Sequence, residues 1–154
     1  SFGKVFHTTG WKMGYALAPK ELMTEFRKVH QFNVFSANTP IQHALAEYMK
    51  EPMNYENVPR FYEDKRDRFV IGMRTSRFEP LVCEGSYFQL ADYSRISDEP
   101  DIEFAKRVTR EFGVAAIPIS PFYKNAPADQ RILRFCFAKQ DETLDNAIEK
   151  LCAI

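Results

Sequence analysis

The chain has 154 residues, enough for one domain with a real hydrophobic core. Its 21 basic and 21 acidic residues cancel, which leaves no electrostatic footprint for nucleic acid or an anionic membrane surface. No apolar run of about 18 residues is present, so no transmembrane helix is expected. Cys83, Cys136 and Cys152 are odd in number, widely spaced and without metal-ligand pattern, as expected of reduced thiols in a cytoplasmic protein.

The first fifteen residues are the densest in chemistry. Ser1, Lys4 and Lys12 offer a hydroxyl and two amines, and Gly3, Gly10 and Gly14 let backbone approach a ligand closely. Phe2, Phe6, Trp11 and Tyr15 bracket the lysines, whereas an ordinary surface lysine has a polar neighbourhood. Residues 5–9 and 13–18 read as strand or strand-edge pieces around a turn at Gly10. After Pro19, Leu22, Phe26, Val29 and His30 follow helical spacing to about Asn33, with Lys20, Glu21, Glu25, Arg27 and Lys28 on the wet face. Asn38 or Thr39 suits an N-cap and Pro40 a first helical turn, so a second helix is expected from there to about Lys50.

Residues 51–58 read as a linker, and Pro59 opens a long charged helix to about Ser76. Its alternating charges, Glu63 to Arg68, are a solvated helix face rather than a binding patch. From Phe78 the pattern shifts to short strands at residues 81–84 and 87–93, then to an amphipathic helix built on Ile102, Phe104, Ala105, Val108 and Phe112 and closed by Gly113. A buried strand interrupted by Pro118 is expected at residues 114–119, another strand at 132–137, and a last amphipathic helix from Asp141 or Thr143. This order predicts an α+β layer with helices on one face of the sheet.

Strand alternation over residues 132–137 puts Leu133, Phe135 and Phe137 on one face and Ile132, Arg134 and Cys136 on the other. An arginine on an otherwise apolar strand needs an anion or a cluster of carbonyls. A salt bridge to an internal Asp or Glu and a bound ligand carboxylate are both open from the residues alone. Arg131 reads as a loop-edge residue. Gly85 to Phe88 reads as a glycine-permitted turn before a strand, with plain hairpin chemistry as the alternative, and stays outside the site. Pro118 to Tyr123 reads as shape rather than chemistry.

Ser1-Phe2-Gly3-Lys4, Thr9-Gly10-Trp11-Lys12-Met13-Gly14-Tyr15 and Arg134-Phe135-Cys136-Phe137 together resemble the class I (fold type I) pyridoxal-phosphate aminotransferases, in their methionine and kynurenine aminotransferase branch. The resemblance implies that Lys4 bonds covalently to the aldehyde of pyridoxal 5′-phosphate and moves the reacting proton. An amine that attacks a carbonyl must be neutral, and apolar neighbours together with the Lys12 charge would favour that form. It further implies that Ser1 and Lys12 hold the cofactor phosphate, and that Arg134 pairs with the substrate α-carboxylate. Phe35, on a loop that reaches a neighbouring subunit's active site in the family, is carried over as a substrate-side residue; a core aromatic under a loop is the alternative.

Family members are more than twice as long. The expected organisation is therefore the end of a large cofactor-binding α/β domain over residues 1–55, a linking helix over 56–77 and a small α+β C-terminal domain over 78–154. The implied activity is transfer of an amino group from methionine or an aromatic or kynurenine-type donor to a 2-oxo acid, in a cytoplasmic homodimer. Two alternatives stand beside it: a cysteine-conjugate β-lyase sharing Lys4 and Arg134, and a non-catalytic fragment or interaction module. The segment by itself is expected to be inactive.

Overall fold

The computed structural model describes all residues, Ser1–Ile154, as two compact units, Ser1–Pro59 and Arg60–Ile154. The first unit is helical: α1 (Phe2–Val5), a 3-10 turn at Thr9–Trp11, α2 (Lys20–Asn33), α3 (Thr39–Tyr48) and α4 (Met53–Glu56). The strands expected at residues 5–9 and 13–18 are not formed. Phe2 to Val5 coil instead into one helical turn, and no ladder partner is available in this chain to the residues after Lys12; a strand needs a neighbour for its backbone groups.

Helices α2 and α3 begin where their sequences direct. α2 follows Pro19 and carries Glu21 in its first turn, where the helix dipole favours negative charge. Asn38 caps α3, its Oδ1 accepting from the Ile41 N–H at 3.1 Å, and a proline fills the first turn. Only Gly3 and Leu45 are buried in these helices, while Leu22, Phe26, Val29 and Phe32 of α2 remain exposed.

The second unit is built on a four-stranded antiparallel sheet in the order β1-β2-β4-β3, from β1 (Glu79–Pro80), β2 (Phe88–Asp92), β3 (Ile117–Pro118) and β4 (Ile132–Cys136). The register sets Leu90 opposite Arg134 on one side and Ile117 opposite it on the other. Residues 81–84 are not a strand, and only Ile117–Pro118 of the expected 114–119 strand joins the sheet. Strand β3 is short because Pro118 has no N–H to extend the ladder.

Helices α5 (Val58–Met73), α6 (Asp101–Phe112) and α7 (Asp141–Cys152) supply one core with the sheet. Phe69 and Met73 of α5, Phe104 and Val108 of α6, and Leu144 and Leu151 of α7 join Ala91, Leu133, Phe135 and Phe137 there. Tyr93 stacks on Phe104 with centroids 4.1 Å apart, and each such buried side chain contributes about 1.5–3 kcal/mol of apolar transfer. Gly113 ends α6 at φ 68°, a left-handed conformation that glycine adopts without Cβ strain.

Helices α5 and α7 run in the same direction. Lys65 pairs with Asp141 at 2.7 Å, Arg68 with Asp145, and Thr75 Oγ1 meets Cys152 Sγ at 3.2 Å. Between these contacts Gly72 faces Ile148: a Cβ on Gly72 would lie 2.5 Å from Ile148 Cδ1. The missing side chain is what lets the two helices touch.

Candidate active site

The N-terminal segment forms a small cradle. Ser1 precedes α1, Lys4 sits within it, and Lys12 closes the 3-10 turn with φ 53°. The Phe2 N–H donates to the Met13 carbonyl at 3.1 Å, which brings the chain at Lys12 to Gly14 back beside Ser1. A Cβ on Gly14 would lie 3.4 Å from Ser1 Cα, and one on Gly3 would lie 2.9 Å from Thr9 Cα. Thr9 Oγ1 donates to the Gly3 carbonyl at 3.0 Å and locks the turn. Aromatic contacts tie the cradle to its unit: Phe2 to Phe6 at 5.6 Å, Phe2 to Tyr15 at 5.4 Å, and Phe6 to Tyr48 at 5.1 Å.

The Ser1 hydroxyl makes no capping bond to α1, which leaves it available to a ligand. A hydroxyl, an ammonium and closely approaching backbone form a donor set that suits a phosphate. Lys4 and Lys12 are both exposed. The apolar surroundings expected around Lys4 are therefore not supplied by this chain's own residues.

Phe35 lies just past the end of α2 at φ 67° and is 83% exposed. Its N–H, like that of Val34, donates to the His30 carbonyl, so the helix end itself turns the ring outward. Within this chain the ring is not covered by other residues. A non-glycine residue in the left-handed region costs energy, which the helix-end bonds must offset.

In the second unit Arg134 lies on the sheet face opposite the helices. Leu133 and Phe135 beside it are buried at 0% and 2% exposure, as the alternation requires. No carboxylate pairs with Arg134, and its Nε is buried without a hydrogen-bond partner. The internal salt bridge that the sequence left open is therefore not formed. An unsatisfied buried N–H is costly, and a ligand carboxylate would remove the cost by accepting it. Arg131 donates instead to the carbonyls of Ala128 and Gln130 at the loop edge.

Two residues left outside the site by sequence reasoning lie against Arg134. The guanidinium carbon is 4.2 Å from the Phe88 ring centroid and 5.0 Å from that of Phe122. Phe88 pairs with Cys136, so it is a diagonal cross-strand neighbour of Arg134 on the same face. A period-two pattern shows that face for each strand separately; the register between strands, which sequence does not reveal, brings the residues together. Tyr62 of α5 packs edge-on to Tyr87 at 4.5 Å, and burial, with Tyr87 and Cys136 nearby, pushes its hydroxyl above the usual tyrosine range.

The family model described as aminotransferase class I and II matches residues 1–151. Methionine aminotransferase of Escherichia coli K12 is 50% identical over 152 residues, which are 98% of this chain and 39% of that protein. Kynurenine–oxoglutarate transaminase 3 of Rattus norvegicus is 38% identical over 97% of this chain and 37% of its own length. The chain superposes on a crystal structure of an Escherichia coli protein with methionine aminotransferase function at a TM-score of 0.92 and 48% identity, covering 100% of this chain and 41% of that one. N-succinyldiaminopimelate aminotransferase of Mycobacterium tuberculosis follows at a TM-score of 0.87 and 32% identity, over 99% of this chain and 40% of its own. The chain thus spans about two-fifths of the length of the relatives it matches.

Proposed function

The chain belongs to the aminotransferase class I and II family, and we propose that the whole protein is a pyridoxal-phosphate-dependent aminotransferase of fold type I. In this reading it moves an amino group from methionine, or from an aromatic or kynurenine-type donor, to a 2-oxo acid. The observation that carries the reading is Arg134: a guanidinium on an apolar sheet face, with no carboxylate of its own and a buried N–H left open. Free α-carboxylate is common to the amino donors and the oxo-acid acceptors, so one clamp serves both halves of a ping-pong exchange.

The remaining assignments follow from the cradle. Ser1 and Lys12 hold the phosphate of the cofactor, a reading supported by the Phe2 N–H to Met13 carbonyl bond, which returns the chain after Lys12 to the side of Ser1. Lys4 would hold the cofactor through its side-chain amine, and its Nζ is the group that would take and return the substrate α-proton. Pyridoxal 5′-phosphate, when bound, supplies an electron sink for the charge left at that carbon. Arg134 holds the substrate α-carboxylate through its guanidinium edge.

Phe35, held outward at a helix end, is read as a substrate-side residue presented to a second subunit, which makes the enzyme a homodimer. Three cysteines free of disulfides suit a cytoplasmic setting. The relatives are named as aminotransferases, which favours transfer over elimination by a β-lyase and over a non-catalytic module. Lys4→Ala in the full-length protein tests the reading: loss of steady turnover with methionine and a 2-oxo acid is expected, and retained turnover with bound cofactor would overturn it.

A further inference from the structure

Phe122 stands out because little beneath it explains its position. It is 63% exposed, yet it lies over Arg134, with the ring centroid 5.0 Å from the guanidinium carbon. Phe88, fixed in β2, lies 4.2 Å from the same carbon. The strand holds Phe88 in place. Phe122 belongs to a 3-10 turn, Ser120–Phe122, that leaves the sheet just after β3.

That turn is pinned from inside. Asp101, only 5% exposed at the start of α6, accepts from the Ser120 N–H at 2.6 Å through Oδ2 and from Ser120 Oγ at 2.7 Å through Oδ1. Both carboxylate oxygens of one buried aspartate are thus directed at one residue of the turn. The Phe122 N–H donates to the Ile119 carbonyl at 3.0 Å, and Pro121 limits the turn's backbone freedom. Ile117 lies opposite Arg134 in the ladder, so the path from the clamp to its second ring is short.

We propose that Phe122 is a positioning residue for Arg134, held over the guanidinium by Asp101 through Ser120, and that with Phe88 it restricts the clamp to planar carboxylates. The inference rests on the reading of Arg134 as the carboxylate clamp. Aromatic rings packed on an arginine leave its in-plane N–H edge as the route of approach for an anion. A carboxylate meets that edge with two coplanar oxygens. A sulfonate of equal charge has three oxygens arranged around sulfur and brings one against a ring.

The test uses the full-length, cofactor-loaded protein and two unreactive probes, 3-phenylpropanoate and 2-phenylethanesulfonate, titrated by calorimetry. Wild type is expected to bind the carboxylate more tightly than the sulfonate. Phe122→Ala should weaken carboxylate binding by roughly five- to tenfold and narrow the ratio between the probes, with Phe122→Tyr restoring both. Asp101→Asn should move affinity and ratio in the same direction, and Ser120→Ala, which removes one of the two bonds, should do so by less. A ratio unchanged in Phe122→Ala, or wild-type values in Ser120→Ala and Asp101→Asn alike, would overturn the proposal; should Asp101→Asn fail to fold, Ser120→Ala decides that arm. Arg134→Gln separates the two layers: if it leaves carboxylate binding intact, the clamp reading itself fails, whereas its loss beside an unaltered Phe122→Ala sinks only the positioning role.

Discussion

Ser1–Pro59 and Arg60–Ile154 differ in what they do with their apolar residues. The second unit closes three helices over one face of a sheet and buries Phe69, Met73, Tyr93, Phe104, Leu133 and Leu151 to 2% exposure or less. The first also carries many large apolar side chains but leaves Leu17 86%, Leu22 63%, Val29 66% and Phe32 86% exposed. Its helices obey local rules of capping and spacing, while its apolar surface has nothing in this chain to cover it. Local signals and a core are therefore separable: one unit has both, the other chiefly the first.

The sharpest way to break this contrast is to make the units separately. Arg60–Ile154 alone should unfold in one cooperative urea transition, and Ser1–Pro59 alone should lose helix gradually; a cooperative transition in the latter, followed by circular dichroism, would remove the distinction. Next in size are single truncations. Phe104→Ala, under the Tyr93 ring, should cost about 3–5 kcal/mol in denaturant unfolding of the second unit, and Val29→Ala on exposed α2 should stay within about 0.5 kcal/mol.

A smaller effect concerns Tyr93, whose hydroxyl donates to the Glu99 carbonyl at 2.8 Å. Burial pushes its pKa up to about 12 from an ordinary value of 10.0. The folded state therefore keeps the proton where the unfolded state has released it. The stabilisation is whole below pH 10 and is lost as pH rises through about 12. Tyr93→Phe should cost about 1–3 kcal/mol at neutral pH by leaving the Glu99 carbonyl unpaired, and should flatten the alkaline decline in melting temperature.

The smallest effect lies at the α5–α7 seam. The hydrogen bond from Lys65 holds the Asp141 carboxyl below its ordinary range, and that from Arg68 does the same for Asp145. Such groups stabilise the fold above their unfolded pKa, about 3.9, and lose that contribution as pH falls through the lower folded value. The stability gap between wild type and Asp145→Asn, measured in urea at pH 6, should therefore shrink steadily on acidification below pH 4. These pairs are exposed, and a gap that ignores pH would show that they contribute nothing.

What sequence conveyed follows the same division. α2, α3, α6 and α7 were legible because proline, Asn38 and Gly113 mark their ends and apolar residues recur at three and four. The alternation that sets Arg134 apart from Leu133 and Phe135 was legible because a strand with one buried face must alternate. The expected strands at 5–9, 13–18 and 81–84 failed because short apolar runs have no period of their own, and pairing partners decide their fate. In the sequence Phe122 stands out only as part of a loop, and Asp101 not at all, for a different reason: the tie between them depends on hydrogen bonds across a turn, between residues whose separate neighbourhoods look ordinary.

The strand order has a consequence for how the protein is made. β4 lies between β2 and β3, so the sheet is two disconnected pieces until β4 leaves the ribosome. The strand that joins them carries Arg134, and α7, which follows it, adds Leu144 and Leu151 to the core. Pausing translation before residue 132 should leave a nascent chain that a chaperone still holds, and synthesis through α7 and its release should let it go.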